Sequence, residues 1–120
     1  MNRVKFIWTG GKEILFLDFC GCTVKDFPSA LEEAQKIIKT RPENSLLILT
    51  DVTNARFDEQ VSVRMKEFTK HNKPYVKASA VVGVSGLKKI MLDAIALFSG
   101  RRFHLCDTVE QAKGWLATQV

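Results

Sequence analysis

The run Val76-Lys77-Ala78-Ser79-Ala80-Val81-Val82-Gly83-Val84 constrains this chain more than any other stretch. It is rich in Val and Ala and hardly alternates between apolar and polar, which is the pattern of a strand covered on both faces. Gly83 and Gly86 bracket a short turn after it, and Leu87 to Phe98 continues as an apolar helix with a basic head, Lys88-Lys89. Such a strand needs a layer of helix on each side of its sheet. Ser85 is expected to cap the helix, its hydroxyl satisfying an amide of the first turn. Those amides, with Lys88 and Lys89 behind them, would suit a small anion. The same residues equally describe a tight turn, a capped helix and two solvated lysines. The Walker spacing is missing, because two residues separate Gly83 from Gly86 and Leu87 precedes the lysines.

The remainder of the chain supplies the neighbours that this strand needs. Val4 to Trp8 and Glu13 to Phe19 flank Thr9-Gly10-Gly11-Lys12, and Gly-Gly between two such runs predicts an antiparallel hairpin. Phe27, Leu31, Ala34 and Ile38 have helical spacing, with Pro28 tolerated in the first turn and Pro42 marking the stop. Leu46 to Thr50 is a continuous apolar strand ending at Asp51. A second helix is predicted behind an Asp58 cap, with Val61, Met65 and Phe68 inward and an end near His71-Asn72-Lys73-Pro74. Phe103 to Cys106 is a short fifth strand, and Thr108 with Gln111 forms a capping box for a last helix whose inner face is Val109, Ala112, Trp115 and Leu116. The predicted order is β-β-α-β-α-β-α-β-α over residues 1–120 as one domain. This is an α/β fold with a mainly parallel five-stranded sheet, an antiparallel N-terminal edge strand and four helices.

Composition narrows the function classes. With 120 residues and 46% apolar content, the chain can bury an ordinary core. No segment approaches the roughly 20 apolar residues of a bilayer crossing, and Met1-Asn2-Arg3-Val4-Lys5-Phe6 has no leader core, so a soluble cytoplasmic protein is expected. Cys20, Cys22 and Cys106 are odd in number, include no Cys-x-x-Cys pair, and are expected to be buried, reduced thiols with no metal site. The net charge of +5 comes from the second half of the chain. Aromatic residues are not interleaved with those charges, which favours a solvated basic face over a nucleic-acid surface.

Several stretches together resemble a known group. Leu46-Leu47-Ile48-Leu49-Thr50-Asp51-Val52-Thr53, Phe57-Asp58, Lys66-Glu67-Phe68, the run from Lys70 to Val84, and Gly86-Leu87-Lys88-Lys89 carry the likeness, with Phe98 to Arg101 and Glu110 to Leu116 behind them. The chain resembles the STAS-like proteins of SpoIIAA-like fold, uncharacterised bacterial relatives of the anti-sigma-factor antagonists that are often grouped with the CRAL-TRIO lipid-transfer domains. The resemblance implies the element order above, no cofactor, and either a protein partner or a lipid-like ligand. In the antagonists a serine of an Asp-Ser-Ser-Gly setting is phosphorylated. Here the corresponding residues are Phe57-Asp58-Glu59-Gln60, so the phosphoswitch is expected to be missing, with Glu59 offering a fixed negative charge near the helix start.

In a parallel sheet the crevice lies beyond the carboxyl ends of the strands. That edge should collect Asp51, Thr53, Asn54 and Arg56 beside Ser85, Gly86 and Lys88. One reading makes it a site for a small anionic ligand or a partner loop, with Arg56 and Lys88 supplying charge; the other makes Asp51 and Thr53 plain turn caps. His71 and His104 have no nucleophile at a defined spacing, so no catalytic set is expected. Phe6, Trp8, Phe16 and Phe19 make an aromatic edge hairpin that would suit a homodimer contact. The chain therefore reads as a non-catalytic binding or regulatory domain, with a carrier of a small molecule or lipid as the alternative. An enclosed apolar pocket distinguishes the second from the first.

Overall fold

The computed structural model describes residues 3–119. Met1, Asn2 and Val120 lie outside the described residues, so the start of the segment expected to lack a leader is not among them. The elements follow in the order β1 (Val4–Thr9), β2 (Lys12–Asp18), α1 (Phe27–Ile38), β3 (Leu46–Asp51), α2 (Glu59–Asn72), β4 (Val76–Val82), α3 (Leu87–Ser99), β5 (His104–Cys106) and α4 (Val109–Ala117). The sheet runs β1-β2-β3-β4-β5, with β1 antiparallel to β2 and every other pair parallel. This is the α/β arrangement that the sequence predicts.

Side-chain parity explains why β3 and β4 hardly alternate. Leu15, Leu17, Ile48 and Val81 face α1, α2 and α3, where they meet Phe27, Val61, Met65 and Ile95. Ile14, Leu47, Leu49, Ala80 and Val82 face the opposite side, where Ala112 and Leu116 of α4 cover them. Three helices thus lie over one face and a single helix over the other. The lone helix is held at its end by Lys12, whose ammonium donates to the Gln119 carbonyl.

Local chemistry sets most boundaries where the spacing predicts them. Asp58 accepts the Val61 amide at 2.8 Å to start α2. Thr108 Oγ1 accepts the Gln111 amide at 3.1 Å to start α4, while Gln111 reaches back to the Asp107 amide at 3.0 Å. Lys73–Tyr75 forms a single 3-10 turn, so Pro74 sits inside a tighter helical turn rather than ending one. Ser85 departs from expectation. The N-cap of α3 is Gly86 at φ 57°, with no side-chain cap bond. Ser85 stands one residue upstream of the cap and meets the first turn through its backbone instead, its carbonyl accepting the Lys88 amide at 3.2 Å.

Gly83 holds the β4–α3 turn against the β3–α2 loop. Its φ is +87°, and a β-carbon there would lie 2.3 Å from Thr53 Oγ1 and 2.5 Å from the Thr53 backbone nitrogen. Gly86, at φ +57°, has open space around it. Gly83→Ala is therefore expected to cost at least about 2 kcal/mol, from strain plus a backbone clash, and Gly86→Ala only about 1 kcal/mol from strain alone. Urea midpoints of the two variants check this, and equal shifts would contradict the close contact.

Candidate functional site

The polar edge forms where the sequence places it, but its groups are largely engaged with one another. Asp51 Oδ1 accepts from the Thr53 amide at 2.9 Å and from Thr53 Oγ1 at 2.6 Å, which closes a local turn, and Asn54 takes φ 58° just after it. The loop is tied to its neighbours by Gly21 N–H to the Thr53 carbonyl at 2.8 Å and Arg56 N–H to the Cys22 carbonyl at 2.9 Å. Lys88 turns inward and donates to the Val52 carbonyl at 2.8 Å. Arg56, Ser85 and Gly86 are exposed. The structure thus brings Asp51, Thr53 and Lys88 together around one loop and leaves Arg56 at the rim.

Beneath this edge, between the sheet and α2 and α3, lies an apolar cavity of about 40 Å³. Its walls include Leu17, Ile48, Phe57, Met65, Leu92 and Ile95. Among the described residues two cationic side chains line it, Lys88 and Arg101, and no carboxylate does. Arg101 follows the left-handed Gly100 that ends α3, and its guanidinium donates to Ser79 Oγ and, at 3.5 Å, to the Thr69 carbonyl. The same guanidinium lies 4.9 Å from the Phe103 ring centroid. Burial pulls its pKa below the usual arginine range, to about 10. It remains charged at neutral pH. One turn of α2 beyond Thr69, Asn72 is fully buried; its Oδ1 faces His71 Nδ1 at 3.2 Å, and its Nδ2 has no hydrogen-bond partner among the described residues. In the Ile48–Ser79 register Val52 is four residues further along, so the Arg101 end and the Lys88 end of the cavity are about 13 Å apart along the strands.

Arg101 and Asn72 are absent from the site residues that sequence reasoning selects. The available signal is Ser79, the one hydroxyl in a Val/Ala strand and on the parity that faces α2 and α3. A second juxtaposition also escapes the sequence. The β2–β3 register pairs Asp18 with Asp51, and Cys20 joins them so that the three side chains have ligand atoms within 4.8 Å of one another. Three hydrogen bonds already occupy this group, Cys20 N–H to Asp18 Oδ1 and the two from Thr53 to Asp51 Oδ1.

The two histidines lie in separate settings. His71 is in the last turn of α2, and His104 stacks on Trp115 with ring centroids 4.0 Å apart. In the hairpin, Phe19 is buried, Phe6 carries the Arg41 guanidinium 4.2 Å from its centroid, and Trp8 is 68% exposed.

The chain matches no protein-family model and no curated protein by sequence. By structure it is similar to an uncharacterised protein of the DUF3478 family from Shewanella loihica PV-4, described as having a SpoIIAA-like fold. The TM-score is 0.71 at 15% identity, covering 94% of this chain and 91% of that one. The fold of this chain is SpoIIAA-like. No helix among the described residues is long and apolar enough to cross a membrane.

The three thiols differ in setting, which corrects the expectation that all are buried. Cys22 is buried, Cys106 is half-buried and Cys20 is exposed. Burial pushes the Cys22 thiol up, and burial followed by the Asp107 charge does the same at Cys106. Because unfolded Cys22 gives up its proton at lower pH than folded Cys22, its contribution to stability falls as pH rises past the ordinary thiol range. An Ellman titration of native protein is expected to modify Cys20 fast, Cys106 slowly and Cys22 only upon unfolding. Fast labelling of Cys22 would contradict the packing at the start of α1.

Proposed function

We propose that this chain is a non-catalytic binding domain for a small apolar molecule that carries a negative charge, held between the sheet and helices α2 and α3. The observation that carries the reading is Arg101, a desolvated cation that has no carboxylate partner among the described residues, on the wall of an apolar cavity that also holds an Asn72 amide unpartnered among them. Both groups lack what a carboxylate or phosphate oxygen supplies. The apolar walls suit the remainder of such a molecule. This is the carrier reading of the sequence, with the charge of its ligand specified.

At about 40 Å³ the cavity holds no more than a few waters, so a ligand enters as α3 moves outward. That helix is the least anchored of the layer. Only Ile95 and Ser99 of its thirteen residues are buried, and Gly86 and Gly100, both at positive φ, stand at its two ends. The Lys88–Val52 hydrogen bond is the latch at its first turn.

Because the unfolded chain holds the Arg101 proton more tightly than the folded one, this charge works against folding at every pH below about 10. A bound anion offsets that cost and converts it into affinity. Decanoate below its micellar concentration is therefore expected to raise Tm, and decanol of the same length to raise it much less. Arg101→Met is expected to leave the free protein as stable or more so, while weakening decanoate binding by about tenfold or more. Equal effects of acid and alcohol, or undiminished decanoate binding by Arg101→Met, would sink the reading.

A further inference from the structure

We propose that the outward face of α3 docks on an anionic lipid bilayer. The face is apolar at helical spacing, i, i+3, i+7, i+10 and i+11, through Leu87, Ile90, Ala94, Leu97 and Phe98. Leu97 is 87% exposed, Leu87 78% and Ile90 66%. The inner face, Leu92, Ile95 and Ser99, is used up against the sheet side, so the helix is apolar on two opposite faces and only one of them is covered. These side chains stand up singly from a ridge about 20 Å long rather than lining a groove.

Charge selects the occupant. On the α2 side, the ammonium groups of Lys66 and Lys70 lie 6.0 Å and 5.3 Å from the Phe98 ring centroid. On the β5 side, Lys89 and Arg102 border the helix. Lys89 is paired with Asp93 at 2.6 Å, whereas Lys66, Lys70 and Arg102 have no carboxylate within 4 Å among the described residues. A row of leucine and isoleucine tips between two cationic margins matches an interface whose apolar layer lies beneath negative headgroups. A second copy of this chain would instead bring lysine against lysine. Nucleic acid would meet the apolar tips with phosphates. The docking stands on this outer face alone, whatever the cavity holds.

Co-sedimentation with phosphatidylcholine vesicles, with and without phosphatidylserine, tests it on the full chain. Binding is expected only with phosphatidylserine present and is expected to fall as salt rises. Ile90→Gln combined with Leu97→Gln should reduce partitioning at least tenfold, and Lys66→Gln with Lys70→Gln roughly thirtyfold. Ile90, Leu97 and Lys70 are exposed and Lys66 is half-buried, so circular dichroism should be unchanged in both variants and Tm unchanged in Ile90→Gln/Leu97→Gln. Failure to bind phosphatidylserine vesicles, binding that Ile90→Gln/Leu97→Gln leaves intact, or a dimer in vesicle-free buffer that this pair dissolves would each overturn the proposal.

Discussion

Everything in this molecule depends on β3 and β4 being covered from both sides. The parallel pairing of Leu46–Asp51 with Val76–Val82 places Leu49, Ala80 and Val82 under α4 and Ile48 and Val81 under α2 and α3. At roughly 25 cal/mol per Å² of apolar surface, two fully covered central strands are the largest single source of stability available to a chain of this size. The helices are positioned by that demand. Since β2, β3 and β4 are each followed by a helix on one face, only α4 remains for the other, and it must serve the whole of it.

The site is a by-product of the same division. Covering one face with three helices leaves a seam where α2 and α3 meet the sheet, and the residues at the seam are mixed in character: Thr50, Thr69, Asn72 and Ser79 interrupt an otherwise apolar wall. Arg101 reaches into that seam from the end of α3, so the position of the charge is tied to the position of the helix. Lys88 does the same from the other end of α3. The two cations that line the cavity therefore stand at the two ends of α3, Lys88 in its first turn and Arg101 just past its last.

How much of this was legible depended on whether the signal was local. The continuous Val/Ala run, the Gly-Gly hairpin, the Asp58 cap and the Thr108–Gln111 box are each fixed by residues within a few positions, and each appears as expected. Ser85 misled because a serine near a helix start is a weaker determinant than a glycine that takes φ 57° at the cap itself. The Asp51-to-Lys88 edge was legible as a place, since strand ends converge there, but not as a set of bonds, because the lysine's choice of the Val52 carbonyl is a tertiary matter. Arg101 was out of reach: nothing local links it to Ser79, 22 positions earlier, or to Thr69, 32 positions earlier.

The exposure of α3's outer residues separates two properties that most helices must satisfy at once. Leu87, Ile90 and Leu97 contribute almost nothing to the folded core, which on that helix closes through Ile95 with Leu92 packed beside it. Their identities can change without a penalty in folding, so this helix can be rewritten for a different surface while the sheet beneath it keeps the same architecture. A fold built in this way can diversify at one helix and remain itself everywhere else.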